Sequence, residues 1–248
     1  MQQQIATVAS LLILLYKHCF CCIILFLFKL FLFWFSVDFI NIVKQINKND
    51  MKIIIIGATG TIGKYVTAAL QQDHEVISAG SKSGDYHLDI SSAESIESFY
   101  KRVGPFDSLI CVSGDGHFGP LGIMKDADFR IGINSKLMGQ VNLVLIGQHY
   151  ISPKGSFTLT SGSLAEDPII LGTNLSTMNG AIDGFVRGAA IELGNSVRIN
   201  AVAPDVVEES PVYFPYFPGH IPVKMNRVTQ AYIKSVLGGQ TGQIYKVI

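Results

Sequence analysis

Gly57-Ala-Thr-Gly60-Thr-Ile-Gly63 spaces three glycines as G-x-x-G-x-x-G. It follows Lys52–Ile56, a run of β-branched residues, and precedes an amphipathic stretch with Ile62, Val66, Ala69 and Leu70 on one side. A strand, a glycine turn and a helix in that order make a phosphate-binding unit. The glycines permit a sharp turn, let backbone approach a pyrophosphate and let the helix pack close against the strand. The helix N-terminus adds free N–H groups and a partial positive charge. Gly57, Thr59, Gly60, Thr61, Ile62 and Gly63 are therefore the candidate contacts to a dinucleotide.

The choice of dinucleotide is made at the end of the second strand, where a carboxylate would bind the ribose 2′-OH. Here the strand runs into Ala79-Gly80-Ser81-Lys82-Ser83, with no carboxylate before Asp85. Ser81 and Lys82 suit a 2′-phosphate better, so NADP is expected over NAD. Asp89, at the end of the next strand, is placed to meet the adenine amino group.

These residues need a scaffold, and the hydrophobic pattern after position 50 supplies it. Strands are expected at Lys52–Ile56, Glu75–Ala79, His87–Ile90, Asp107–Val112, Gly155–Thr160, Val197–Val202 and Gln243–Val247. Helices are expected at Thr61–Gln72, from Ser92 as cap to Gly104-Pro105, over Asp126–Tyr150, Thr173–Gly194 and Asn226–Leu237. Repeated βα units predict an α/β fold, a doubly wound parallel sheet of about seven strands with helices on both faces. Residues 204–225 form a long Pro- and aromatic-rich loop, expected to be a lid or binding loop, with Tyr213, Phe214, Tyr216 and Phe217 either lining an apolar pocket or covering the core edge. Cys111, in a buried strand, reads as core.

Charge and hydropathy are uneven along the chain. The 248 residues carry 19 basic and 19 acidic side chains, and the mean hydropathy is +0.36. Zero net charge argues against phosphate neutralisation, so no nucleic-acid partner is expected. Residues 1–50 hold four lysines, two aspartates, seven of the 15 phenylalanines and three of the four cysteines, which leaves a net charge of −2 for 51–248. Leu11–Phe35 is long enough to span a bilayer, with Lys29 snorkelling or facing a partner. Two readings of this extension stand. In one it is a single N-terminal anchor with Lys44 and Lys48 keeping the downstream domain in the cytoplasm. In the other, the favoured one, translation starts at Met51 and the domain is simply cytoplasmic. A membrane partner is expected only in the first. Cys19, Cys21 and Cys22 lack a second ligand pair at zinc spacing, so no metal is expected.

The ordered set of motifs over 51–248 resembles the short-chain dehydrogenase/reductase family. The set comprises the glycine loop, Asp89-Ile90, Asp107–Gly114, Asn134, Gly155–Ser163, Asn179-Gly-Ala-Ile-Asp-Gly-Phe, Arg198-Ile-Asn-Ala-Val-Ala-Pro204 and Thr241-Gly-Gln. The resemblance implies a Rossmann fold, a nicotinamide cofactor reaching Ser113, Gly114 and Pro204, and a small carbonyl or alcohol substrate. It implies catalytic roles for Asn134 and for Ser161 or Ser163, whose alignment is ambiguous. It also implies pairing of subunits through the helix 173–194, hence a homo-oligomer.

The family's Tyr-x-x-x-Lys pair is absent. Leu175 stands where the tyrosine belongs and Asn179 where the lysine belongs. Leucine has no proton to give, and asparagine has no charge to depress a pKa. Asp205 replaces a usual glycine, and Cys111 and Val112 replace paired asparagines. The combination resembles an atypical subgroup that keeps the glycine loop without that pair. Two functions follow as expectations: an NADP-dependent oxidoreductase whose acid–base work falls to another group (His117, Tyr213 and Tyr216 are candidates), or a non-catalytic NADP-binding sensor or scaffold.

Overall fold

Ile53, Ile54, Ile55 and Ile56 are all fully buried in β1 (Lys52–Ile56). Consecutive β-branched residues without polar alternation suit a strand covered on both faces. Ile54 and Ile56 join one apolar cluster, and Ile53 and Ile55 join the other. In this computed structural model, which describes residues 50–248, β1 sits inside a seven-stranded sheet of order β3-β2-β1-β4-β5-β6-β7. The other strands are β2 (Glu75–Gly80), β3 (Tyr86–His87), β4 (Phe106–Cys111), β5 (Ile151–Thr160), β6 (Arg198–Pro204) and β7 (Ile244–Val247). Every pairing is parallel. The expected doubly wound α/β fold is therefore the observed one.

Helices α2 (Ala93–Val103), α4 (Met138–Gly147) and α5 (Thr173–Glu192) cover one face through Phe99, Leu143 and Ile182. Helices α1 (Gly63–Leu70) and α6 (Met225–Leu237) cover the other through Val66 and Tyr232. The chain runs outward from β1 to β3 and then returns to β4 on the other side of β1. Such a reversal opens a crevice beyond the carboxyl ends of the strands, where ligands bind in open α/β sheets.

Several expected elements differ at their ends, and one differs in kind. The single helix expected over 126–150 is α3 (Asp126–Gly132), a π-helical turn (Ile133–Leu137) and α4. The wider turn is braced from the side: Gln140 donates to the Lys136 carbonyl at 3.0 Å. Strand β5 starts earlier than expected, because Ile151 pairs with Phe106 before the register shifts and resumes at Ser156. Pro153 cannot donate to a ladder and falls within that irregular stretch. At α2 the expected cap is present, with Ser95 N–H donating to Ser92 Oγ at 3.2 Å. The loop after β6 is closed at its base by a Val207–Val223 bridge and holds a 3₁₀ turn at Pro211–Tyr216.

The expectations for residues 1–49, including the span, Lys29 and the three clustered cysteines, lie outside the described residues. Among the described residues, no helix is long and apolar enough to cross a membrane.

Candidate active site

Each glycine of the loop meets a different steric demand. Gly57 has φ +81°, in the left-handed region, and a Cβ there would lie 2.9 Å from the Val112 carbonyl oxygen. Its N–H donates to Ala79 O at 2.8 Å, which ties the turn to β2. A Cβ on Gly63 would collide with the Gly57 carbonyl, so the helix starts against the loop only because that residue is glycine. Gly60 is exposed, and its N–H donates back to Gly57 O at 3.0 Å. No side chain caps α1, and its first turn carries no acidic residue. The positive end of its dipole therefore meets no internal counter-charge in the first turn. Thr59 and Thr61 are exposed on the same loop, and Thr59 Oγ1 lies 2.6 Å from Ser83 Oγ.

Ser81, Lys82 and Ser83 are exposed beyond β2. The nearest following carboxylate, Asp85, is turned back: its Oδ2 accepts from the Ser78 N–H at 2.8 Å and from the Ser78 hydroxyl at 2.7 Å. Those two bonds hold the Asp85 carboxyl below its ordinary range. Asp89 is likewise engaged by its own turn, with Oδ1 accepting from Ser91 Oγ at 2.6 Å and Ser91 N at 2.9 Å.

A cavity of about 430 Å³ lies at the carboxyl ends of β4, β5 and β6. Ile62, Phe118, Leu164, Ile169, Leu175, Tyr213 and Phe217 make its apolar walls. Asp115, Lys136, Ser161, Ser163, Asn179, Asp205 and Ser210 make its polar part, and Gly114 and Pro204 also line it. Apolar walls with a few convergent polar groups suit a small-molecule site. Of the loop aromatics, Tyr213 and Phe217 thus reach the cavity, while Tyr216 packs edge-on against Phe118 at 4.8 Å between centroids.

The structure separates the two candidate serines. Ser163 Oγ donates to Asp205 Oδ1 at 3.0 Å. Asp205 also accepts from Val206 N–H at 2.7 Å, and its Oδ2 lies 2.7 Å from His220 Nδ1. Ser163 is therefore tied to a carboxylate that clasps the loop. Ser161 is 4% exposed, and its hydroxyl has no partner among the described residues. Asn179 is also 4% exposed, with Oδ1 unpaired. A buried polar atom left without a partner is costly and marks a place where a ligand atom can bind.

Asn134 is exposed and does not line the cavity. Two residues later in the π turn, Lys136 does, with Nζ 3.4 Å from both Thr160 O and Ser161 O. Burial pushes its ammonium down from 10.5 to about 8. Sequence reasoning missed this lysine; the available signal was a cation among Ile133, Leu137 and Val141, in a stretch otherwise read as apolar helix. Ser113 and His117 stay outside the cavity wall, and His117 N–H donates to Asn174 Oδ1 at 2.9 Å. Cys111 is fully buried and its thiol is pushed up to about 11 by that burial, which suits core.

The family model described as enoyl-(acyl carrier protein) reductase matches residues 41–214. The crystal structure of protein lin1944 from Listeria innocua is 44% identical, with 80% of this chain and 100% of that chain covered and a TM-score of 0.79. A small-chain dehydrogenase is 25% identical, covering 80% and 97% of the two chains at a TM-score of 0.72. A small-chain dehydrogenase solved with NADPH shares the fold at 24% identity and a TM-score of 0.73, covering 80% and 97%. No curated protein matches the sequence. The extent of the family match and the identity to the Listeria protein, joined to the parallel seven-stranded sheet, show that the chain belongs to the short-chain dehydrogenase/reductase family.

Proposed function

We propose that this chain is a nicotinamide-dinucleotide-dependent oxidoreductase, preferring NADP, that acts on a carbonyl or alcohol group carried by an apolar body. The observation that carries the reading is the glycine loop. Gly57 and Gly63 admit no side chain, and the uncapped helix behind them faces the crevice at the switch point of the sheet. A dinucleotide pyrophosphate fits that arrangement. Gly57, Thr59, Gly60, Thr61, Ile62 and Gly63 would hold it, with Ser113, Gly114 and Pro204 at its nicotinamide end and Asp89 at the adenine. When bound, the cofactor supplies or accepts a hydride.

Preference for the 2′-phosphate is supported by Ser81 and Lys82 standing exposed while Asp85 is engaged by Ser78. A dehydrogenase of the same fold carries NADPH. Ser161 would orient the substrate oxygen, since its hydroxyl, with the Asp183 carboxyl close by, makes no full hydrogen bond among the described residues, whereas Ser163 is bound to Asp205. The apolar walls suit a hydrophobic substrate body. Gly180, Gly184 and Gly188 leave one face of α5 open, which supports self-association there.

Leu175 and Asn179 favour a second reading, a non-catalytic dinucleotide-binding protein. One experiment separates the two. The full chain is titrated with NADPH and NADH by thermal shift and then given apolar aldehydes and ketones with NADPH. Binding with turnover supports the oxidoreductase, binding without turnover across the panel supports the second reading, and failure to bind either dinucleotide removes both.

A further inference from the structure

A lysine that reaches a cavity normally meets a carboxylate, and Lys136 forms no ion pair among the described residues. Among the described residues, the hydrogen-bond acceptors for Nζ are the Thr160 and Ser161 carbonyls, both at 3.4 Å. An ammonium has three N–H donors, so two long bonds to carbonyls leave one for a ligand. The same cavity holds Ser161 Oγ and Asn179 Oδ1, both buried and unpaired. An amine, a hydroxyl and an amide thus converge on one space, and among the described residues no carboxylate lies within ion-pair distance of the amine.

The backbone of Lys136 is held from two sides. Gly114, with φ +135°, packs so closely that a Cβ there would lie 2.8 Å from Lys136 Cα. Gln140 takes the Lys136 carbonyl on the opposite side. π-helical turns recur at functional sites because the extra residue re-aims a side chain. Here the re-aimed residue is the lysine, while Asn134 stays exposed.

We propose that Lys136 is the proton-transfer residue of this site, its Nζ giving a proton to a substrate carbonyl oxygen that Ser161 also holds, in place of the tyrosine absent at position 175. The inference rests on the oxidoreductase reading. In the reduction, a reduced nicotinamide dinucleotide is the hydride source and the carbonyl carbon gains the new C–H bond. The C=O π pair moves to oxygen, the O–H bond forms as one N–H bond of Lys136 breaks, and the neutral amine recovers a proton from solvent. The oxidation runs the same transfers in reverse. The titratable groups facing Nζ are Cys111 from β4 and Asp183 from α5, with Asp115 and Asp205 on the cavity wall. Burial dominates over them, and an amine near pH 8 can serve as acid or base around neutrality.

Trace acetylation with acetic anhydride at graded pH, read by peptide mass mapping of the full chain, tests this directly. Lys136 should reach half-maximal reactivity at about pH 8, whereas ordinary exposed lysines do so at about 10.4. Saturating NADPH, with binding verified by thermal shift in the same samples, should slow its acetylation at least roughly tenfold by covering the amine. If Lys136 titrates with the exposed lysines, or acetylates equally fast with NADPH bound, the inference is overturned and the cofactor reading survives. If NADPH gives no stabilisation, both fall. With an aldehyde or ketone that the wild type reduces, Lys136→Met should lower kcat about 100- to 10,000-fold while KM moves less than about threefold. Lys136→Arg should fold normally and fail to restore kcat, and an unimpaired kcat in either variant overturns the proposal.

Discussion

Gln140 binds Thr160 as a strand neighbour would, accepting from Thr160 N–H at 2.8 Å through Oε1 and donating from Nε2 to Thr160 O at 2.9 Å. Both residues are buried, and Nε2 also reaches the Lys136 carbonyl. One amide therefore links the end of β5, which carries Ser161, to the π turn that carries Lys136. The serine and the amine are positioned by the same side chain.

Replacing Gln140 by Leu keeps the volume and strands the Thr160 N–H in the core. Each buried polar group left unpaired costs about 1–3 kcal/mol. Gln140→Leu should lower unfolding stability by about 1–3 kcal/mol on that account. Urea denaturation followed by circular dichroism checks this; a loss under about 0.5 kcal/mol would show the clamp to be dispensable.

The glycines of the loop should respond differently. A Cβ at Gly63 meets backbone that cannot step aside, so Gly63→Ala should both destabilise the fold and weaken NADPH binding. A Cβ at Gly60 meets only the Gly57 carbonyl oxygen at 3.3 Å. Gly60→Asp should therefore fold and still fail to bind NADPH, because it puts bulk and negative charge at the pyrophosphate. Thermal melts and fluorescence titration on the two variants check the contrast. NADPH binding by Gly60→Asp at wild-type affinity would place the pyrophosphate elsewhere.

Lys82 carries the expected choice of cofactor. A charge-assisted hydrogen bond to phosphate is worth about 1.5–3 kcal/mol, or roughly 10- to 100-fold in affinity. Lys82→Ala should raise the Kd for NADPH by about that factor and leave NADH binding nearly unchanged. Parallel titrations read the ratio, and equal losses for both dinucleotides would remove the 2′-phosphate from Lys82.

Asp183 is 5% exposed, and its Oδ1 has no partner among the described residues. Burial holds its carboxyl above the ordinary 3.8, against the Ser161 hydroxyl and Arg187, which lower it. The folded chain thus keeps this proton at pH values where the unfolded chain has lost it. Stability from this group is complete below about pH 4 and falls as pH rises through the raised value. Asp183→Asn should flatten that slope and raise stability at neutral pH. Urea midpoints at about pH 5 and pH 8 test it, and an equal gap between them in wild type and variant would clear Asp183 of the effect.

Much of this molecule is legible in the order of its residues. The four isoleucines of β1 announce a strand buried on both faces, because no polar residue offers an exposed side. The alternation of such runs with amphipathic stretches predicts the parallel sheet, since parallel strands require crossovers. The glycine loop is legible for a related reason: turn, close approach and packing are local demands, met within seven residues. Leu175 and Asn179 are readable too, as regular spacing on one helix makes their places countable.

The polar part of the cavity is a different case. The resemblance points to Asn134, whereas in the π turn it is Lys136, two residues on, that lines the cavity. Ser161 and Ser163 are equivalent by alignment, and only the distant Asp205 and His220, brought together by the loop after β6, distinguish them. Local sequence determined the fold and the glycine loop because backbone sterics and hydrophobic period act over a few residues. Tertiary structure alone decided which amine lines the cavity and which serine hydroxyl is left unpaired there, because that depends on contacts between β5, α4 and α5, which no spacing within one element encodes.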